Sequence, residues 1–179
     1  PHDQLVVNQW NGATYPWMLA MAQNEQYIIF TLDNRGSENR GFAFESVIHR
    51  DLAKYAMKDQ MKGVEYLKSL PYIDSKRMAV YGWSFGGFNT LMAMTDGRPV
   101  FRCGVAVAAP SNWKYYDTVY TERYMRTPKE NANYEAVNPI ARAAQLHGDL
   151  LLIHGTADDN VHFRNCAEMS EALVQADKP

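Results

Sequence analysis

The sequence predicts an α/β fold, a mostly parallel sheet with helices on both faces, and three observations carry that expectation. Short apolar runs without polar alternation recur at residues 27–32 (YIIFTL), 78–81 (MAVY), 103–109 (CGVAVAA) and 150–153 (LLLI), as strands of a covered parallel sheet do. Amphipathic helical patterns fill the intervals between them. Turn-forming residues separate each run from the helix that follows. A further strand is placed near residues 5–7.

The first long helix is expected over residues 51–70, where Ala53, Met57, Met61, Val64, Leu67 and Leu70 recur at spacings of three and four. Asp51 stands near its N-cap and Pro71 ends it. A second helix is expected from Phe85 to Met94. A third runs from Val161 to Ala176 with Phe163, Cys166, Met169 and Leu173 on its inner face. Residues 127–139 (TPKENANYEAVNP) are polar and bracketed by prolines, so they read as an excursion outside the sheet. The chain contains no internal repeat.

With 46% hydrophobic and 21% charged residues in a chain of 179, one globular domain is expected. The 18 basic and 20 acidic residues are intermingled, which gives no extended basic surface for a phosphate backbone, so nucleic acid is not an expected partner. No apolar run approaches the roughly 20 residues that span a bilayer, and no membrane segment is expected here. Cys103 and Cys166 are too few for a disulfide framework, and one bridge between them stays open. The start at Pro1 without a methionine, and the end at Pro179 directly after an amphipathic stretch, read as a piece of a longer chain.

Gly82-Trp83-Ser84-Phe85-Gly86 spells G-x-S-x-G, and Gly87 follows. A predicted strand enters this motif and a predicted helix leaves it, the context of a nucleophile elbow rather than of a serine that merely caps a helix. Such a turn strains the serine backbone, and side chains at positions 82 and 86 are expected to collide with the flanking helix and strand. It presents the Ser84 hydroxyl above the sheet edge. It also sets the Phe85 N–H at a helix N-terminus, where it can stabilise a tetrahedral oxyanion.

The run LLLI leads into residues 154–161 (HGTADDNV) at the carboxyl end of a predicted strand, the edge where open parallel sheets bind ligands. An aspartate there can orient a histidine and stabilise the imidazolium it forms. Asp158 is the first choice and Asp159 the second, the latter also reading as a solvated residue near a helix start. Elbow hydrolases place serine, acid and histidine in that chain order. His162 alone follows Asp158 and is too close to it to reach Ser84; His2, His49, His147 and His154 precede it. The base is therefore expected past Pro179, and this stretch by itself is expected to be inactive. His154, His162 and Cys166 match no familiar metal-ligand spacing, and neither metal nor cofactor is expected. Trp113, Tyr115, Tyr116, Tyr120 and Tyr124 form an aromatic stripe that, on spacing alone, packs an excursion against the sheet. Glu122 and Arg123 read as a structural pair.

Residues 82–87 (GWSFGG), 113–124 (WKYYDTVYTERY) and 154–163 (HGTADDNVHF), with 33–37 (DNRGS) and 100–104 (VFRCG), resemble the catalytic domain of the dipeptidyl peptidase IV branch of the prolyl oligopeptidase family. The likeness runs across nearly the whole chain. It implies an α/β-hydrolase fold incomplete at both ends, with residues 1–179 forming part of a catalytic domain and a β-propeller upstream. It implies a serine exopeptidase that cleaves after proline or alanine near the N-terminus of peptides through an acyl-enzyme. Ser84 would be the nucleophile, Asp158 the acid and the Phe85 N–H an oxyanion donor. Trp113, Tyr116, Tyr120 and Val161 would line a proline pocket, and Asn160 would hold a substrate carbonyl. No cofactor is implied, the parent would be a homodimer acting on peptides, and its location would be extracytoplasmic.

Three departures bound the resemblance. The tyrosine that completes the family's oxyanion hole would precede Pro1, the propeller that anchors the substrate N-terminus is also upstream, and Phe85 stands where relatives often carry tyrosine. Tripeptidyl cleavage, acylaminoacyl peptidase or esterase chemistry on the same fold, and a non-catalytic interaction protein remain the alternatives.

Overall fold

Three of the four apolar runs pair into one parallel sheet. The computed structural model describes residues 16–178; the strand expected near residues 5–7 lies outside them. Strands β1 (Ala79–Trp83), β2 (Cys103–Val107) and β3 (Asp149–Ile153) lie in the order β1-β2-β3. Helices α1 (Pro16–Asn24), α2 (Phe42–Glu45), α3 (Lys54–Lys68), α4 (Phe85–Met94), α5 (Thr118–Met125) and α6 (Arg164–Gln175) surround it. Asp51 performs the capping expected of it, its Oδ1 accepting from Ala53 N at 3.1 Å and Lys54 N at 2.9 Å, which satisfies amides otherwise orphaned at the start of α3.

The register sorts the strand residues onto two faces. Val80, Gly104 and Leu150 stand in one row and Gly82, Ala106 and Leu152 in the next of the same face. This face is small where α4 lies on it. A Cβ on Gly104 would come within 2.7 Å of Met94 Cγ, and one on Gly87 within 2.8 Å of Val107 O. The helix sinks accordingly, and Phe88, Leu91 and Met94 are almost wholly buried. Helix α6 packs beside it over β2 and β3, so that Leu91, Ala106, Leu152 and Met169 line one small internal void.

The opposite face is less covered than the apolar runs led us to expect. Tyr81, Trp83, Leu151 and Ile153 remain 42–64% exposed, and among the described residues Trp17 of α1 lies against this face, edge-on to Tyr81 with ring centroids 5.0 Å apart. Helices thus meet both faces, although the strands alternate in burial instead of being buried throughout.

The run at residues 27–32 departs from expectation. It forms no strand and joins no ladder among the described residues, and Tyr27, Ile28, Ile29 and Phe30 are 41–56% exposed. A strand is defined by its neighbour, and no described segment pairs with this one. Its inner side chains rest on α3 instead: a Cβ on Gly63 would meet Leu32 Cδ2 at 3.2 Å and Phe30 Cε1 at 3.3 Å.

The turn that follows is fastened to α3. Asp59 accepts from Arg35 N at 2.8 Å, from its Nε at 2.9 Å and from its Nη2 at 2.7 Å, while the guanidinium lies 4.6 Å from the Tyr55 ring centre. Burial pushes the Asp59 carboxyl up, but the hydrogen bonds and charge of Arg35 outweigh it and hold the group below the usual carboxylate range. A depressed carboxylate contributes stability that is full above its unfolded value near ~4 and is lost as pH falls through the lower folded value. Asp59→Asn should therefore cost about 1 kcal/mol at neutral pH and flatten the acid side of the stability profile below about pH 4. Identical acid limbs in a denaturant series of the two proteins would contradict this.

Where β1 turns into α4 the backbones nearly touch. A Cβ on Gly82 would sit 2.0 Å from Gly86 O, whereas one on Gly86 would meet nothing within 4 Å. The expectation of collisions at both positions is corrected: Gly82 and Gly87 are the constrained glycines, because Gly86 points away from the strand it crosses. Gly82→Ala should lose at least about 3 kcal/mol or fail to fold, and Gly86→Ala should stay within about 1 kcal/mol of the parent. Equal losses in urea midpoints would refute that asymmetry.

Candidate active site

The parallel register brings three turns out of the sheet side by side. Trp83, Val107 and Ile153 are aligned at the carboxyl ends of their strands, and the ladder continues one step into the turns, with Ser84 N donating to Val107 O and Ala108 N to Ile153 O, both at 2.8 Å. Ser84, the segment after Ala108 and the segment after Ile153 therefore start from one edge.

Ser84 has φ 55° and ψ −118°, a backbone region that costs a non-glycine residue about 1–3 kcal/mol. Its carbonyl accepts from Phe88 N at 3.0 Å, committing the main chain to α4, while its hydroxyl makes no capping bond to that helix. The side chain is half-buried. Phe85 is the first residue of α4, so its N–H belongs to the set that has no intrahelical acceptor. Its ring is buried and packs on Phe88 and Trp113 at centroid distances of 5.4 and 5.8 Å.

Past Ile153 the chain turns through residues 154–163. Asp158 Oδ1 accepts from Asn160 N at 3.0 Å and Val161 N at 2.9 Å, which fixes the carboxylate on its own turn and leaves Oδ2 directed elsewhere, 3.6 Å from His154 Nε2. His154 is not poised as a base by this contact, because the same Nε2 lies 2.6 Å from Val161 O. His162 Nδ1 accepts from Arg164 N at 3.1 Å. Asp159 and Asn160 are exposed and Val161 is buried. His147, further back, has its protonated form disfavoured by burial.

The segment after Ala108 carries the aromatic residues. Asn112 and Asp117 start its two short helices, accepting from Lys114 N at 3.0 Å and Tyr120 N at 2.7 Å. Trp113 is 1% exposed; it stands edge-on to Tyr116 at 5.9 Å and stacks on Tyr120 at 5.7 Å, and those tyrosines meet each other at 5.4 Å. Tyr116 OH donates to Asn160 Oδ1 at 3.0 Å. One chain of contacts thus runs from Phe85 beside Ser84, through the aromatic side chains, to the turn that holds Asp158. Glu122 and Arg123, expected to pair, are both exposed with no ion pair between them among the described residues.

Two further links escaped the sequence reading. Asn165 is wholly buried and bonds to Ser111, Asn112 and His162. On the outer side Tyr115 OH donates to Glu168 at 2.5 Å, and Arg164, also bound to Glu168, lies 4.2 Å from the Tyr115 ring centre. The spacing of four from Asn165 to Met169 and Leu173 was the available signal, since both apolar partners of that stripe are buried. Cys103 and Cys166 are free thiols, and no group of three His, Cys, Asp or Glu side chains converges among the described residues.

The chain is similar to proteins of known structure and name. It is 42% identical over 164 residues to dipeptidyl peptidase 4 of Sus scrofa, covering 89% of this chain and 21% of that protein. It is equally identical to human prolyl endopeptidase FAP, covering 22% of it. Among solved structures, dipeptidyl peptidase 4 of Porphyromonas gingivalis superposes with a TM-score of 0.80 at 44% identity over 82% of this chain and 21% of that one. A Bacteroides ovatus protein described as a dipeptidyl aminopeptidase IV superposes with a TM-score of 0.94 at 44% identity over 100% of this chain and 25% of its own. The chain thus spans about a fifth to a quarter of the relatives it matches. With residues 13–179 matching the model of that family, it belongs to the prolyl oligopeptidase family.

Proposed function

We propose that this chain supplies the nucleophile, acid and proline-binding wall of a serine exopeptidase that hydrolyses the bond after proline or alanine near a peptide N-terminus. The strained Ser84 backbone at the β1–α4 turn carries this reading, because proteins retain such strain where the geometry serves chemistry. Ser84 Oγ attacks the substrate carbonyl and forms an ester while its proton passes to a histidine and on to the departing amine; water then hydrolyses the ester. The chain order of elbow hydrolases puts that histidine after Asp158, and His154 and His162 are engaged within the acid turn. Asp158, with Oδ1 held by two amides, offers Oδ2 to orient it.

The oxyanion formed on attack faces the Phe85 N–H at the positive end of α4. The flat faces of Tyr116 and Tyr120 suit a proline ring, and Trp113 backs them from the core. The family membership and the dipeptidyl peptidase relatives support the same chemistry.

In the intact protein carrying this chain, Ser84 should react with a fluorophosphonate probe, and Ser84→Ala should abolish both labelling and cleavage of a glycyl-prolyl amide; activity surviving that change would remove Ser84 from the mechanism. Tyr116→Ala should raise KM for the prolyl amide by about tenfold and lower kcat less. An unchanged KM would take Tyr116 out of the wall.

A further inference from the structure

Asn165 sits in the first turn of α6 with none of its surface exposed. Burying an amide without partners is costly, so its hydrogen bonds reveal what it does. Its Oδ1 accepts from Ser111 N at 2.9 Å and Asn112 N at 3.2 Å. Its Nδ2 donates to His162 O at 3.0 Å, and its own carbonyl accepts from Ser111 Oγ at 2.7 Å.

These partners belong to two different parts of the candidate site. Ser111 and Asn112 are the residues immediately before Trp113, where the aromatic segment begins. His162 ends the turn whose carboxylate is Asp158 and whose Asn160 is bonded to Tyr116. One buried side chain therefore clamps the entry of the aromatic wall to the exit of the acid turn. None of its hydrogen bonds goes to Ser84 or Asp158.

We propose that Asn165 is a positioning residue for substrate selection, setting the distance between the aromatic wall and the acid turn and hence the fit of a proline ring. The proposal rests on the hydrolase reading above. Nearby, the Tyr115–Glu168–Arg164 cluster ties the aromatic segment to α6 from the solvent side. Loss of Asn165 accordingly loosens the wall without releasing it. A loosened wall penalises the rigid ring of proline more than the methyl group of alanine, and it leaves the nucleophile intact.

The test uses the intact protein with Asn165→Ala and Asn165→Asp, the second keeping an acceptor for Ser111 N and Asn112 N but losing the donor to His162 O. Glycyl-prolyl and glycyl-alanyl amides give KM and kcat, and a small fluorophosphonate reports Ser84 reactivity. Asn165→Ala should raise KM for the prolyl amide about tenfold, with the alanyl KM, both kcat values and the labelling rate within about threefold, and Asn165→Asp, which lacks the donor to His162 O, should show the same selective prolyl loss. Should Asn165→Ala not fold, Ser111→Ala, which removes only the Oγ contact, should still lower the prolyl-to-alanyl preference about threefold. A preference unchanged in the folded variants, or prolyl turnover, alanyl turnover and labelling all falling by one common factor, would overturn the proposal. A parent protein that is neither labelled at Ser84 nor active on either amide would instead overturn the hydrolase reading and this inference with it.

Discussion

The close approach of α4 to the sheet is the constraint on which the rest of the structure depends. It is possible because glycine occupies positions 82, 87 and 104, where a Cβ would press on Gly86 O, Val107 O and Met94 respectively. Depth of contact decides the energetics. The Ser84 backbone costs about 1–3 kcal/mol, whereas burying a Phe, Leu or Met side chain returns roughly 1.5–3 kcal/mol, and Phe88, Leu91 and Met94 are all buried by the same docking. The strain is thus held by ordinary packing directly beneath it. A helix set further from the sheet would let the turn relax.

Parallel pairing does the second part of the work. Because the ladder runs on through Ser84 N to Val107 O and Ala108 N to Ile153 O, the relative heights of three turns are set by backbone hydrogen bonds and not by side-chain preference. Side chains then adjust within that frame. Asp158 is steadied by amides of its own turn, and the aromatic segment is tied across to the same turn through Tyr116 and Asn160. Local bonds fix each piece and long-range bonds fix the pieces to one another.

How much of this was legible follows from which interactions are local. Strand and helix around Ser84 were readable because the apolar run, the glycines and the helical period are contiguous, and α4 begins and ends where periodicity placed it. Residues 27–32 carry the same apolar signature as a strand, yet pairing depends on a neighbour that their own sequence does not encode. The inner face of α6 was read from its apolar residues. Met169 and Leu173 are indeed buried, while Phe163 and Cys166 are only half so, and the position that completes the stripe is Asn165. A polar residue was passed over there because its partners, Ser111 and Asn112, lie more than fifty positions away.

In the aromatic segment, packing and the proposed recognition are compatible explanations for one stripe. Trp113 is almost wholly buried and is wedged against Phe85 and Phe88, so it behaves as the packing interpretation requires. Tyr116 and Tyr120 stand on it edge-on and face-on while keeping part of their surface accessible. An exposed ring can be a precise wall only if its backing is rigid, and here the backing is the core itself, continuous with the helix that positions Ser84. Selectivity in the proposed reaction is then inseparable from stability at Trp113 and separable from it at Tyr116, whose hydroxyl and outer face contribute little to the core. The deeper a residue lies in this series, the more its replacement is felt as loss of fold; the shallower it lies, the more, under the proposed reaction, it is felt as loss of substrate fit.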